Sequence, residues 1–203
     1  MKTLSRSDYD TLRDGATVLE ADGRGDKVLQ LTDGRMLKLF RRKRLISSAL
    51  WSPYARRFAR AATLLAERNV PAPVVIDVFR IPAIRRDGVL YHPLQGRTLR
   101  AIVAEGLNYG EERALKNHFT RFLVGLHDQG IYFRSLHLGS VVYTPDGEFG
   151  LIDISDLKVG YGPLPEYRRA RNLRRMLALP GEADWIDRAV LLNPAARTAL
   201  ASA

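Results

Sequence analysis

The apolar residues of this 203-residue chain change their spacing near its middle, and that change restricts what it can fold into. Ahead of His92-Pro93-Leu94-Gln95-Gly96 they come in short runs at 27–31, 36–40, 74–79 and 88–91, separated by turn residues. Runs of that length read as strands, and Thr32-Asp33-Gly34-Arg35 joins the first two as a hairpin. Between the two pairs, Tyr54, Phe58, Ala61, Ala62 and Leu65 recur at helical spacing over 53–68. Ser52 is placed to cap that helix and Pro53 to occupy its first turn, and Val70-Pro71-Ala72-Pro73 ends it. Past Gly96 the helical period takes over, in a short segment at 98–105 and a longer one at 111–129. Leu115, Phe119, Phe122, Leu123 and Leu126 make one apolar stripe there, the buried face of a core helix. Two short strands at 140–143 and 149–154 flank the turn Thr144-Pro145-Asp146-Gly147, and an Arg-rich helix at 166–179 precedes a helical tail. The chain reads as α+β, a strand-rich part followed by a helix-rich part.

Composition narrows the class. At 22.8 kDa the chain suffices for one mid-sized domain or two small lobes with a proper core. With 46% hydrophobic and 27% charged residues it matches an ordinary globular protein, and its 16 Gly and 10 Pro follow no period, which excludes collagen-like and repeat-array folds. The absence of cysteine excludes a disulfide framework, a thiolate zinc site and a cysteine nucleophile, and suits a reducing cytoplasm. The opening residues lack the apolar stretch of a secretory signal and no apolar run approaches the roughly 18 residues of a membrane span, so the expectation is a soluble, cytoplasmic protein. The net charge of +10 is unevenly spread: residues 1–96 carry 18 basic and 10 acidic groups, residues 97–203 carry 14 and 12. Anionic partners are favoured, whether nucleic acid, anionic lipid or phosphorylated substrates. Nucleic acid ranks last, because neither a helix-turn-helix signature nor aromatic stacking motifs accompany the charge.

One stretch carries chemistry. Leu126-His127-Asp128-Gln129-Gly130-Ile131-Tyr132-Phe133-Arg134-Ser135-Leu136-His137-Leu138-Gly139-Ser140 is followed by the hairpin and then by Leu151-Ile152-Asp153-Ile154-Ser155. This order of helix, loop, hairpin and aspartate resembles the catalytic heart of the protein-kinase-like superfamily. Within it the chain is most similar to the lipopolysaccharide-core (Kdo and heptose) kinases and aminoglycoside-phosphotransferase relatives, especially the small bacterial toluene-tolerance proteins. The resemblance covers roughly residues 20–180.

The resemblance implies a two-lobed kinase-like fold: a small antiparallel β N-lobe with one helix over 1–91, a hinge at 92–97, and an abbreviated helical C-lobe over 98–203. It implies ATP and Mg2+ as cofactors. Lys38, inside the second hairpin strand, would contact the phosphates; Gly23 and Gly25 in Asp22-Gly23-Arg24-Gly25-Asp26 would form a reduced glycine-rich loop, with an ordinary turn as the plainer reading. Tyr91 and Leu94 would line the adenine-binding hinge, with a Pro/Gly linker as the plainer reading, and Asp153 would hold the magnesium. Ser135 stands where the family has its base aspartate, and Ser140 where it has its metal-binding asparagine, its hydroxyl a weaker ligand for the magnesium. Arg134 would hold the loop, and His137 either stabilises the loop or takes up a proton. The glutamate that normally pairs with the lysine has no clear counterpart, since Arg57 or Phe58 occupies its place and Glu67 lies near the helix end.

A positioned base contributes roughly 10²- to 10⁴-fold, whereas phosphoryl transfer depends chiefly on positioning and electrostatics. Two readings therefore stand: a weakened kinase that phosphorylates a sugar hydroxyl of the inner core, or a catalytically inactive pseudokinase that binds nucleotide or acts as a scaffold in envelope assembly. The absence of an Ala-Pro-Glu segment and the short remainder after Asp153 argue against a protein substrate. Arg168, Arg171 and Arg175 share a helical face that suits phosphosugar groups, or is simply solvated. Arg41-Arg42-Lys43-Arg44, with Leu45, Ile46, Leu50, Trp51, Tyr54, Arg56, Arg57 and Arg60, suits either a peripheral contact with the anionic inner membrane or a packed helix with its charges in water.

Overall fold

The computed structural model describes residues 1–42 and 53–201. The first of its two units, Met1–Glu67 with Ala72–Leu94, is built on one sheet. Its elements in order are β1 (Lys2–Thr3), α1 (Arg6–Arg13), β2 (Thr17–Asp22), β3 (Gly25–Gln30), β4 (Met36–Arg41), α2 (Tyr54–Ala66), β5 (Val74–Ile81) and β6 (Arg86–His92). The spatial order is β1-β5-β6-β4-β3-β2. The 27–31 and 36–40 runs do pair as an antiparallel hairpin, with Val28 opposite Lys38 and Leu29 opposite Leu37. The sheet is mixed rather than antiparallel throughout, because β1 joins β5 in parallel. A Lys2–Asp77 ion pair at 2.6 Å and the bond from Leu4 N to Arg80 O at 2.8 Å hold that edge.

Strand alternation gives the sheet two working faces. Leu29, Leu31, Leu37, Leu39, Ile81 and Leu90 form a buried cluster with Tyr9 of α1. On the opposite face, Phe40 and Tyr91 meet α2: Phe40 stacks near Tyr54, and Phe58 lies 5.3 Å from the Tyr91 ring. The expectation of one helix thus falls short by α1. That eight-residue helix, capped by Ser5 Oγ accepting from Asp8 N, buries only Tyr9, too little for a periodic stripe to show. The exposed edge strand β2 likewise has no buried side to announce it. For α2 the N-cap is Pro53, not Ser52, since helical backbone starts at Tyr54. Ser52 lies outside the described residues, as do Lys43, Arg44, Leu45, Ile46, Leu50 and Trp51 of the basic and apolar segment.

The second unit, Arg68–Pro71 with Gln95–Ala203, is mainly helical. It contains β7 (Arg97–Thr98), α3 (Leu99–Glu105), α4 (Tyr109–Asp128), β8 (Ile131–Phe133), β9 (Val141–Tyr143), β10 (Phe149–Leu151), β11 (Leu157–Val159), α5 (Glu166–Ala178), α6 (Arg188–Leu192) and α7 (Pro194–Ala201). A capping box between Asn108 and Glu111 starts α4, whose Phe119, Leu123 and Leu126 are buried and whose Leu115 and Phe122 are half-buried. Phe149 sits among His118, Phe119, Phe122 and Tyr143, all within 5.6 Å between centroids. The strand expected over 140–143 starts one residue later, because Ser140 closes a 3₁₀ turn over Leu138–Ser140. The one expected over 149–154 stops at Leu151, ahead of the left-handed backbone of Asp153 (φ 59°). The whole is α+β, with seven α-helices among the described residues, none long and apolar enough to cross a membrane.

Candidate functional site

The loop that follows β8 is anchored from both sides. Asn172 of α5, 2% exposed, takes the hydrogen bond of Phe133 N at 3.1 Å and donates through Nδ2 to Phe133 O at 2.7 Å. Leu136 and Leu138 then sink into the core, which turns Arg134, Ser135 and His137 toward partly open positions. Glu182, 5% exposed, fixes the next residues: its carboxylate accepts from Leu138 N at 2.9 Å and from Arg100 Nη2 at 2.6 Å. The Arg100 guanidinium lies across Gly139, where a Cβ would come 2.9 Å from Nη1, so a larger residue there would have to displace the arginine. Ser140 closes the turn, its hydroxyl accepting from His137 N at 3.0 Å and donating to His137 O at 2.8 Å. Fully buried, this hydroxyl is engaged by its own loop.

The β9–β10 hairpin returns the chain to the same place. Ile152 N donates to Ser140 O at 3.0 Å, setting the exposed Asp153 beside the loop. A 3₁₀ turn over Ile154–Asp156 follows, and Asp156 accepts a hydrogen bond from Ser135 Oγ and one from Arg134 Nε at 3.3 Å. The other Asp156 oxygen, Oδ1, is buried without a hydrogen-bond partner. Burial, and then the Arg100 and Arg175 guanidiniums, hold His137 below its ordinary pKa, against the opposing pull of Glu182 and Asp153. These contacts bring Arg134, Ser135, His137, Ser140 and Asp153 into one neighbourhood of the second unit.

The remaining sequence candidates belong to the first unit. Lys38 is half-buried on the α2 face of β4, with Nζ 6.0 Å from the Phe40 ring centroid. Gly23 and Gly25 lie where β2 turns into β3. Asp22 Oδ1 accepts from Arg24 N at 2.9 Å, and the buried Arg86 donates to Arg24 O at 2.6 Å. Gly25 needs its positive φ of 106°, whereas a Cβ on Gly23 would meet nothing within 4 Å. Tyr91 is buried with its ring on Phe58, and Leu94 is half-buried. On α5 of the second unit, Arg168, Arg171 and Arg175 are exposed at i, i+3 and i+7.

Four residues of the loop's surroundings escaped the sequence reading: Arg100, Asp156, Asn172 and Glu182. Asp156 lies three positions past Asp153 and offered a visible signal, a second carboxylate after the hairpin. Glu182 and Asn172 meet the loop from 44 and 39 positions away, and only the fold discloses them. Among the described residues no group of three or more His, Asp or Glu could hold a metal ion. Magnesium is commonly held by one or two carboxylates with substrate phosphates and water, and the exposed Asp153 is a carboxylate of the kind that such a site would use. No protein-family model matches the chain, and no curated protein matches its sequence.

Proposed function

We propose that the chain is an ATP-dependent phosphotransferase of protein-kinase-like type, with the two-lobed fold and the weakened loop of a lipopolysaccharide-core kinase, acting on a sugar hydroxyl. The observation that carries this reading is the return of Asp153 to the loop of Ser135 and His137 by way of the β9–β10 hairpin, fastened by the bond from Ile152 N to Ser140 O. Transfer of a phosphoryl group asks for little covalent chemistry from the protein and much positioning, and the hydrogen bonds of Asn172, Glu182 and Arg100 brace the loop for that purpose. Asp153 holds magnesium, which neutralises charge on the phosphates when bound. Lys38 serves the phosphates, and Tyr91 and Leu94 the adenine. The exposed Arg168, Arg171 and Arg175 suit an acceptor that already carries phosphate, and the basic segment from Arg41 suits the anionic inner leaflet.

A second reading, a silent nucleotide-binding regulator of envelope assembly, is favoured by Ser140, whose hydroxyl is spent on its own loop. Calorimetry of the full chain with ATP, with and without magnesium, separates the cases. Magnesium-dependent binding that Lys38→Ala weakens and Asp153→Ala abolishes is the expected result. Binding by Asp153→Ala equal to that of the parent sinks the assignment of the site, and ADP release from ATP then distinguishes the kinase from the silent binder.

A further inference from the structure

The loop that lacks a carboxylate in sequence has one in space. Ser135 Oγ donates to Asp156 Oδ2, and Arg134 donates to the same oxygen. The Asp156 side chain is 13% exposed, and its Oδ1 is buried with no hydrogen-bond partner. A carboxylate oxygen kept from water without a donor is costly. The backbone that delivers it is also uncommon: Asp153 is one of only three non-glycine residues at positive φ among the described residues, and the 3₁₀ turn it starts carries Asp156 to Ser135.

His137 faces Arg100 and Arg175, whose positive charges disfavour a third cation there, and the Ser140 hydroxyl serves the His137 backbone. We propose that Ser135 and Asp156 form a proton relay that replaces a loop base, an inference resting on the phosphotransfer reading above. The acceptor hydroxyl passes its proton to Ser135 Oγ as the Ser135 proton passes to Asp156 Oδ2. The acceptor oxygen bonds to the γ-phosphorus of ATP, the bond from that phosphorus to the β–γ bridging oxygen breaks, and ADP departs with its electron pair. Asp156 then returns its proton to water. Ser135 is the catalytic residue, and Asp156 positions it and takes its proton.

The test uses the full chain with magnesium and ATP, water serving as acceptor, and reads both ADP release and nucleotide affinity. Asp156→Asn is expected to lower ADP release by about 10²-fold with affinity unchanged. Ser135→Asp added to Asp156→Asn is expected to restore it, because the carboxylate then stands in the loop itself. Unchanged release in Asp156→Asn, or a loss that Ser135→Asp fails to restore, overturns the relay and leaves the kinase reading intact. Ser135→Ala keeps the carboxylate and removes the hydroxyl, so unchanged release there overturns the relay however Asp156→Asn folds. Nucleotide binding without ADP release in the parent overturns the relay in favour of the silent binder. Absence of binding in the parent overturns the nucleotide reading, and the relay with it.

Discussion

His127, near the end of α4 and 1% exposed, is a buried titratable group with a clear consequence for stability. Burial first, and the Arg169 guanidinium second, push its pKa down to about 4, opposed by Asn172 and Asp128. Unfolded, the imidazole returns to the ordinary value near 6.5 and binds a proton that the folded state refuses. Its contribution is therefore fully present above about pH 6.5 and is lost progressively as pH falls toward 4. The shift corresponds to about 3 kcal/mol over that window. Urea unfolding at pH 7.5 and pH 4.5 should show the parent losing more stability than His127→Gln by about that amount; equal losses would mean that His127 is protonated in the folded state. The same neighbourhood explains why Arg169 can be buried: Nε donates to Leu164 O at 2.8 Å and Nη2 to Asp128 at 2.5 Å.

At the scale of elements, the end of α4 is strapped by the segment after β11. Leu164 N donates to His127 O at 2.8 Å, and Gly160 N to Gly130 O at 3.0 Å. Gly130 has φ 73°, and a Cβ there would lie 2.5 Å from Gly162 O, a backbone atom that cannot swing aside. Gly130→Ala should therefore cost about 2 kcal/mol or more in chemical denaturation, whereas Gly23→Ala, with open space around it, should stay within about 0.5 kcal/mol. If the two variants lose the same stability, the strap does not constrain this turn.

How far such features could be foreseen depended on length and burial. The α4 stripe and the β3–β4 hairpin were legible because each repeats a period over a buried face. α1, β2, β8 and β11 were not, being too short or too exposed to leave a pattern. The loop's own residues were legible from their order, but Asn172 and Glu182 were not, because nothing in a local sequence says which distant polar side chain will satisfy a buried backbone group.

For the whole molecule, the net charge of +10 complicates any demonstration of nucleotide binding, since a basic protein attracts polyphosphates without a site. Ligand linkage offers the discrimination. A ligand that binds only the folded state, at about a hundred times its dissociation constant, adds about 2.7 kcal/mol of stability. For a chain of this size that amounts to a rise in Tm of roughly 5–10 °C. On the phosphotransfer reading proposed above, the rise with ATP should require magnesium, persist at about 0.3 M salt and vanish in Asp153→Ala, because Asp153 would hold the metal. Attraction by charge alone would weaken with salt as screening shortens its range, would ignore magnesium, and would appear equally with inorganic tripolyphosphate. Equal shifts from ATP and tripolyphosphate, unaffected by Asp153→Ala, would reduce the basic character of the chain to a general polyanion preference and remove the argument for a nucleotide site.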